Sequence, residues 1–373
     1  MSLQMISDVL ALRDISSHCP LCGRKFGRVA RTDEHIFPRW LQKHHKLETR
    51  RLTLPNFIGK TYKSVRIDIC EKCNHHRFGR LETEIARRVR SGDAFAAVQD
   101  LDQELLAVWL GKILWLLCRK GHAYPDHRRR NEPEPDSIVP QDLMPGITYL
   151  GMMERAFAMH KGMYACYLTD PPLPDFFYGP PYSLYVVEID TRDTRFEAFD
   201  FADNLITLGA ALRTGNLGLI CAFDGGIHRE FRLHRFQHLI GEKLHPVQFG
   251  ELAARIFYDH TVLHEDALRV QYYWNRPLHA VVAQTQTPRS FDPFLAEHHD
   301  LERLAGMIGR GTYADPKKIL HEGGRIFTCL EDHEGNFLRY AVTEEEIEAA
   351  RRDPHQTLMG PLDSRWRTDS CSR

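Results

Sequence analysis

Two C-x-x-C pairs, Cys19–Cys22 and Cys70–Cys73, constrain this chain more than any other feature. Four soft thiolates held in two knuckles suit a tetrahedral zinc ion. About 45 residues lie between the pairs, more than a minimal zinc ribbon needs, so a small structure must be folded between the knuckles. Gly23 follows the first knuckle and Asn74 the second. The other five of the nine cysteines are scattered. That is the pattern of a reduced protein with one metal site, not of a disulfide scaffold. A short basic segment with few large apolar residues also needs such a staple to fold.

The 373 residues, 43% of them hydrophobic and 27% charged, have material for one large core or two. The most apolar stretch, Leu105 to Cys118, is too short to span a bilayer and contains Lys112. A buried helix is expected there, and no membrane association. The amino-terminal residues lack a basic start and a small-residue cleavage site, so a cytoplasmic location is expected. Charge is unevenly spread. The whole chain balances 49 Lys/Arg against 50 Asp/Glu, but His18 to Ser91 holds 18 Lys/Arg against 7 Asp/Glu. Basic density of this kind attracts a polyanion, because each phosphate contact releases condensed counterions.

The pattern predicts an α+β protein: a small zinc-stapled module over 1–92, a helical connector with a Pro- and charge-rich linker over 93–145, and a larger mixed α/β part over 146–373. Helical spacing is read at 1–14, 80–92, 93–121, 249–267 and 344–353. Strands are read at 182–190, 195–201, 217–224, 269–274 and 279–286, with a hairpin around Glu334-Gly335-Asn336.

A closed four-thiolate zinc has no vacant position for substrate, so chemistry needs other residues. Asp33, Glu34 and His35 lie between the knuckles, while Asn74, His75 and His76 follow the second. A zinc that draws the knuckles together brings these groups near one another. A carboxylate, an amide oxygen and imidazoles around one point suit a hard cation that keeps several waters, with a histidine left as base.

The run "CPLC…DEHIFPRW…CEKCN…RLE" resembles the zinc-containing HNH, or ββα-metal, nuclease family, over about residues 18 to 92. The resemblance implies a ββα-metal module that hydrolyses DNA phosphodiester bonds. It implies that His35 is the general base, that Glu34 and Asn74 ligate a catalytic Mg2+ (or Mn2+), and that Cys19, Cys22, Cys70 and Cys73 hold a structural Zn2+. His75 and His76 rank below Asn74, as alternative metal ligands in a site that departs from the family pattern. The family's middle Asn, which braces the His-bearing loop, has its nearest counterpart in Asn56, further upstream than usual. Arg31, Arg39, Lys43, Lys72, Arg77 and Arg80 are expected to hold flanking phosphates. The family's module meets the minor groove of double-stranded DNA, so weak sequence preference is expected.

Asp33 is read as a cap or turn residue, His44 and His45 as solvent-facing, and Trp40 and Trp109 as packing residues. Beyond Gly92 no signal is comparable. His228, His234, His238 and His245 are read as surface or core, and His298 to Asp300 as a weak ligand pair. Residues 146–373 are assigned targeting, sensing or dimerisation, with a homodimer and a regulatory ligand among the partners. By family analogy the chain acts in bacterial defence against foreign DNA. The competing reading is a zinc-dependent nucleic-acid-binding protein or regulator that does not cleave, and a third is a protein-interaction domain.

Overall fold

The computed structural model describes residues 17–53, 59–122, 144–167, 178–263, 270–285, 299–312, 314–321, 324–332, 334–339 and 348. The helix read at 1–14, Asn56, His298, nearly all of the helix read at 344–353 and most of the Pro-rich linker lie outside them.

The described amino-terminal part holds strand β1 (Arg31–His35), helix α1 (Arg39–His44), the short strands β2 (Arg51–Thr53) and β3 (Gly59–Thr61), and strand β4 (Arg66–Cys70). β1 pairs antiparallel with β4, and β2 with β3. A π-helical turn at Cys73–Arg77 leads from the second knuckle into α2 (Phe78–Val89). Phe78, Leu81, Ile85 and Val89 share one face of α2 and are buried, while Gly92 leaves the segment with a positive φ of 95°. The single helix read over 93–121 is two. α3 (Ala94–Val98) is capped by Asp93, which accepts from Ala96 N–H. α4 (Gln103–His122) starts where the Asp102 carboxylate accepts from Glu104 N–H. Asp side chains compete for backbone donors and so break a helix between two good helical runs.

The larger part contains α5 (Met144–Ala158), β5 (Gly162–Tyr167), β6 (Tyr178–Gly179), β7 (Ser183–Ile189), β8 (Phe199–Asn204), β9 (Gly209–Thr214), β10 (Leu217–Ala222), α6 (Ile227–Arg232), β11 (Lys243–Leu244), α7 (Pro246–His260), β12 (Val270–Asn275), β13 (Ala280–Thr285) and α8 (Leu301–Thr312). One sheet has the order β11-β7-β10-β9-β8, antiparallel except at β11–β7. A second has the order β12-β13-β5-β6, with β13 and β5 parallel. Glu331 and Phe337 bridge antiparallel around Gly335, as the hairpin reading expects.

The central strands split two cores by their period of two. Leu217, Leu219 and Cys221 of β10 join the core on the α4 side, whereas Ile220 and Ala222 join the core under α7 and α8. α4 is apolar around its whole circumference, the signature of a helix enclosed on all sides. It touches β4, α2, α5, β9 and β10. One apolar core therefore runs from Cys19 through α4 to Ala283 without a break at residue 92. Among the described residues no helix is long and apolar enough to cross a membrane.

α7 and α8 cross backbone to backbone at Gly250 and Gly311. A Cβ at Gly250 would lie 1.9 Å from the Gly311 carbonyl oxygen, which cannot move without shifting α8. Gly250→Ala is therefore expected to destabilise the chain by about 3 kcal/mol, the upper end for forced overpacking. Urea unfolding measures this, and zinc content should stay unchanged.

Candidate metal centre and its surroundings

The four knuckle cysteines form a buried cluster whose sulfurs all lie within 4.8 Å of one another. Backbone amides turn toward them: Cys70 N–H lies 3.3 Å from Cys19 Sγ and Cys73 N–H 3.4 Å from Cys70 Sγ. Gly23, at φ 68°, closes the first knuckle with its N–H on Cys19 O at 2.8 Å. Four thiol sulfurs converging on one point from two knuckles are the donor set of structural zinc. Two other elements dock on the knuckle. Trp115 of α4 donates to Pro20 O at 3.0 Å, and the Arg155 guanidinium of α5 packs where a Gly23 side chain would stand.

His35 ends β1, paired across the hairpin with Arg66. It is 8% exposed, and neither ring nitrogen has a hydrogen-bond partner among the described residues. Burial lowers its pKa below the ordinary histidine value, and the nearby Arg66 and Arg39 lower it further. The imidazole is therefore neutral at pH 7. The Ile36-Phe37-Pro38 that follows is wholly buried, with Phe37 edge-on to Tyr62 and Phe201. The apolar half of the motif thus anchors the histidine to the larger sheet.

Glu34 faces the other side of β1, toward α2. Asn74 reaches the same face, its Nδ2 donating to Thr32 Oγ1 at 3.1 Å. Thr32 and Glu34 are two residues apart and share that face. The donor types, a carboxylate and an amide oxygen, are those a hard cation takes. Yet Glu34 is already engaged. Lys112 of α4 donates to Glu34 Oε1 at 2.7 Å and to Glu82 Oε1 of α2 at 2.5 Å. Burial works to discharge Lys112, but Glu82 and Glu34 outweigh it and hold its pKa above the usual value. As folded, the Glu34–Asn74 pair presents its carboxylate to an ammonium and does not fit a divalent ion. His75 and His76 are exposed on the π-helical turn. Among the described residues, the four cysteines form the one group of three or more His, Cys, Asp or Glu ligand atoms close enough to share a metal.

Other residues singled out from the sequence fall in several places. Asp33 is no cap: it lies within β1 and pairs with Arg66 at 2.5 Å. His45 is not solvent-facing. It is half-buried, bonds Thr214 Oγ1 of β9 at 2.7 Å, and burial lowers its pKa to about 4. Trp40 and Trp109 stack on each other, as packing residues should. Arg39, Lys43, Lys72 and Arg80 are exposed, and Arg31 is exposed while paired with Asp68. Arg77 instead lies over the Phe157 ring at 4.0 Å and donates to Phe157 O. His160 reports the local field: Arg77, then burial, Lys72 and Arg80 lower its pKa. The second knuckle and the end of α5 thus share one positive surface.

Two polar clusters were not anticipated. The first is Lys112–Glu34–Glu82, whose signal was the lone lysine in an apolar run. The second is buried beneath α6 and α7. Asp224 accepts from Gly226 N–H, His228 N–H and Ser183 Oγ, and His260 Nε2 lies 2.8 Å from its carboxylate. His260 Nδ1 is 2.7 Å from Ile256 O, so both ring nitrogens donate and the ring is an imidazolium. His228 lies between Tyr185 and Asp259 and stacks on His260. The sequence signals were Asp-Gly-Gly at 224–226 and Asp259-His260 at the end of a helix.

No family model, curated protein or solved structure matches this chain.

Two outcomes are expected. Cys70→Ser should lose the bound zinc, read by elemental analysis, together with the protease resistance of the amino-terminal module, because ligand loss is also folding loss. His260→Gln should destabilise the chain by about 3 kcal/mol, since it leaves Asp224 buried without its charged partner. His260 has a pKa raised above its unfolded value, against the opposing cost of burial, and that of Asp224 is lowered. The pair's contribution is thus fully present below the unfolded histidine value of about 6.5 and above the unfolded aspartate value of about 4. It fades as pH rises through the raised His260 pKa or falls through the lowered Asp224 pKa. The gap between wild type and variant should be widest between those limits and narrow in alkali, as urea midpoints across pH would record.

Proposed function

We propose that this chain is an endonuclease of the HNH type that hydrolyses phosphodiester bonds in double-stranded DNA. One observation carries the reading. On a zinc-stapled hairpin that runs into a helix, His35 is a neutral imidazole with no hydrogen-bond partner among the described residues, beside exposed arginines. A general base needs that combination of free ring nitrogen, depressed pKa and fixed backbone. In this role His35 takes the proton from water, the water oxygen attacks phosphorus, and the 3′ oxygen leaves. Arg39, Lys43, Lys72 and Arg80 hold the flanking phosphates. The resemblance assigns Mg2+ or Mn2+ to Glu34 and Asn74, but with Lys112 on Glu34 the pair does not fit the ion, and the roles in this reaction are those of the chain's own residues. Residues 146–373 would select the target or report a signal through the shared core, in keeping with a defence role.

The second reading is a zinc-stapled DNA-binding protein that does not cleave. The Lys112–Glu34 ion pair favours it, because it occupies the carboxylate that a metal would need.

Purified protein incubated with supercoiled plasmid and Mg2+ or Mn2+ decides between them. Nicking should stop with EDTA, and His35→Ala should lose about a hundredfold or more in rate, the usual worth of a general base. The base must be neutral, so the rate should rise with pH through the His35 pKa and level off. Because that pKa is depressed, the half-rise should fall below about 6.5. Equal nicking by wild type and His35→Ala sinks the endonuclease reading. DNA binding without nicking establishes the second.

A further inference from the structure

Helix α7 stands on the central sheet through two aromatic rings. Phe249 rests on Gly218 of β10 and Phe257 on Gly209 of β9, where a side chain on either glycine would strike the ring. Phe249, Ala253 and Phe257 recur every fourth residue and so share the face of α7 that looks at the sheet. Between the rings the lining from α7 is Gly250, Ala253 and Ala254. Below them lie Ala211 of β9 and Ala202 of β8, directly paired with each other. Side chains this small cannot fill the space between two aromatic pillars to the density of a protein interior. The result is a cleft of about 350 Å³ between sheet and helices. Met307, Arg310 and Gly311 of α8 form one wall, and β8, the outermost strand of its sheet among the described residues, lines it over residues 200–204.

That volume would hold about a dozen waters and falls within the range of small-molecule sites. The polar groups around it decide what fits. By the two-residue period of a strand, Asp200, Ala202 and Asn204 face the cleft with Ala211, whereas Phe201 and Asp203 face α4. Asp200 stands opposite Arg213 in the β8–β9 register and accepts from Phe201 N–H at 2.9 Å. The Asn204 side-chain oxygen accepts from Ile206 N–H at 3.1 Å and Thr207 N–H at 3.3 Å, which leaves its Nδ2 as a donor. Arg310 is exposed and has no ion-pair partner among the described residues. The groups left unmatched are therefore a guanidinium and an amide donor. A guanidinium takes a carboxylate through two parallel hydrogen bonds. One cation with one neutral donor matches a singly charged head group better than a phosphate dianion.

We propose that this cleft binds a small amphipathic carboxylate. An apolar chain or ring system of about a dozen heavy atoms lies between Phe249 and Phe257, and the head group lies on Arg310. The site is independent of the nuclease reading and of the four-cysteine cluster. It nevertheless backs onto the amino-terminal part. β8 turns Ala202 toward the cleft and, on its other face, Phe201 toward Phe37 of the histidine-bearing loop.

The test is isothermal titration of decanoate into the zinc-loaded full chain, below the micelle concentration and without DNA. One equivalent should bind saturably. Decyltrimethylammonium, with the same chain and the opposite charge, should bind about tenfold or more weakly. Arg310→Glu should weaken decanoate by about tenfold and leave the binding of decan-1-ol unchanged, a split that a merely structural arginine would not give. Ala253→Phe fills the space between the two rings and should abolish binding. Ala202→Leu fills the same space from the exposed edge strand, so a folded variant remains even where the helix substitution disturbs packing. Urea midpoints identify which variants are folded. The proposal is overturned if decanoate does not saturate at one equivalent, or if the ammonium binds as tightly. It is equally overturned if Arg310→Glu weakens decanoate and decan-1-ol alike, or if a folded filling variant binds decanoate as wild type does.

Discussion

Four sulfurs packed within a few ångströms set the geometry on which the amino-terminal part depends. Cys70 is the last residue of β4 and Cys73 the first of the turn into α2. The other pair belongs to the loop before β1. An ion shared by all four therefore fixes the angle at which hairpin meets helix, and with it the face that carries Thr32, Glu34 and Asn74. The same knuckle receives Trp115 from α4 and Arg155 from α5. The four-cysteine cluster is thus the meeting point of hairpin, helix and core, and an ion held there would contribute to folding as directly as any apolar contact.

α4 carries that organisation into the rest of the chain. It is buried against the hairpin and α2 on one side and against β9 and β10 on the other. Tertiary contacts beyond it reinforce the join: Phe37 packs on Phe201, and His45 bonds Thr214. The histidine-bearing loop is therefore held by the larger sheet as well as by the hairpin that the four-cysteine cluster anchors. Two packed routes thus join residues 146–373 to the candidate site, one through α4 and one through the direct Phe37–Phe201 contact.

Features specified by local pattern were legible in the sequence. The knuckles follow from spacing, α2 and α7 from helical periodicity, β7 from aromatic and β-branched residues, and β10 from a continuous apolar run. Elements whose residues lack those signals were not. β9, "GAALRT", is made of small residues with little strand preference, and it is a strand because β8 and β10 flank it. α5 begins beside proline and glycine, which read as loop. The site was half legible. His35 and the four cysteines could be found by motif. The cation on Glu34 could not, because Lys112 lies 78 residues away and looked like a blemish in an apolar helix.

That lysine changes what the motif can mean. Glu34 in isolation is a free carboxylate waiting for a metal, whereas in the folded chain it is half of an enclosed acid pair already neutralised in part. With the ammonium on Glu34 and Glu82, a divalent ion at the same carboxylates meets repulsion in a poorly screened pocket. Without the ammonium, two enclosed carboxylates would face each other uncompensated, which is costlier still. Lys112 therefore ties β1 to α2 through the helix at the centre of the core, and the carboxylate the motif offers is spent on that join.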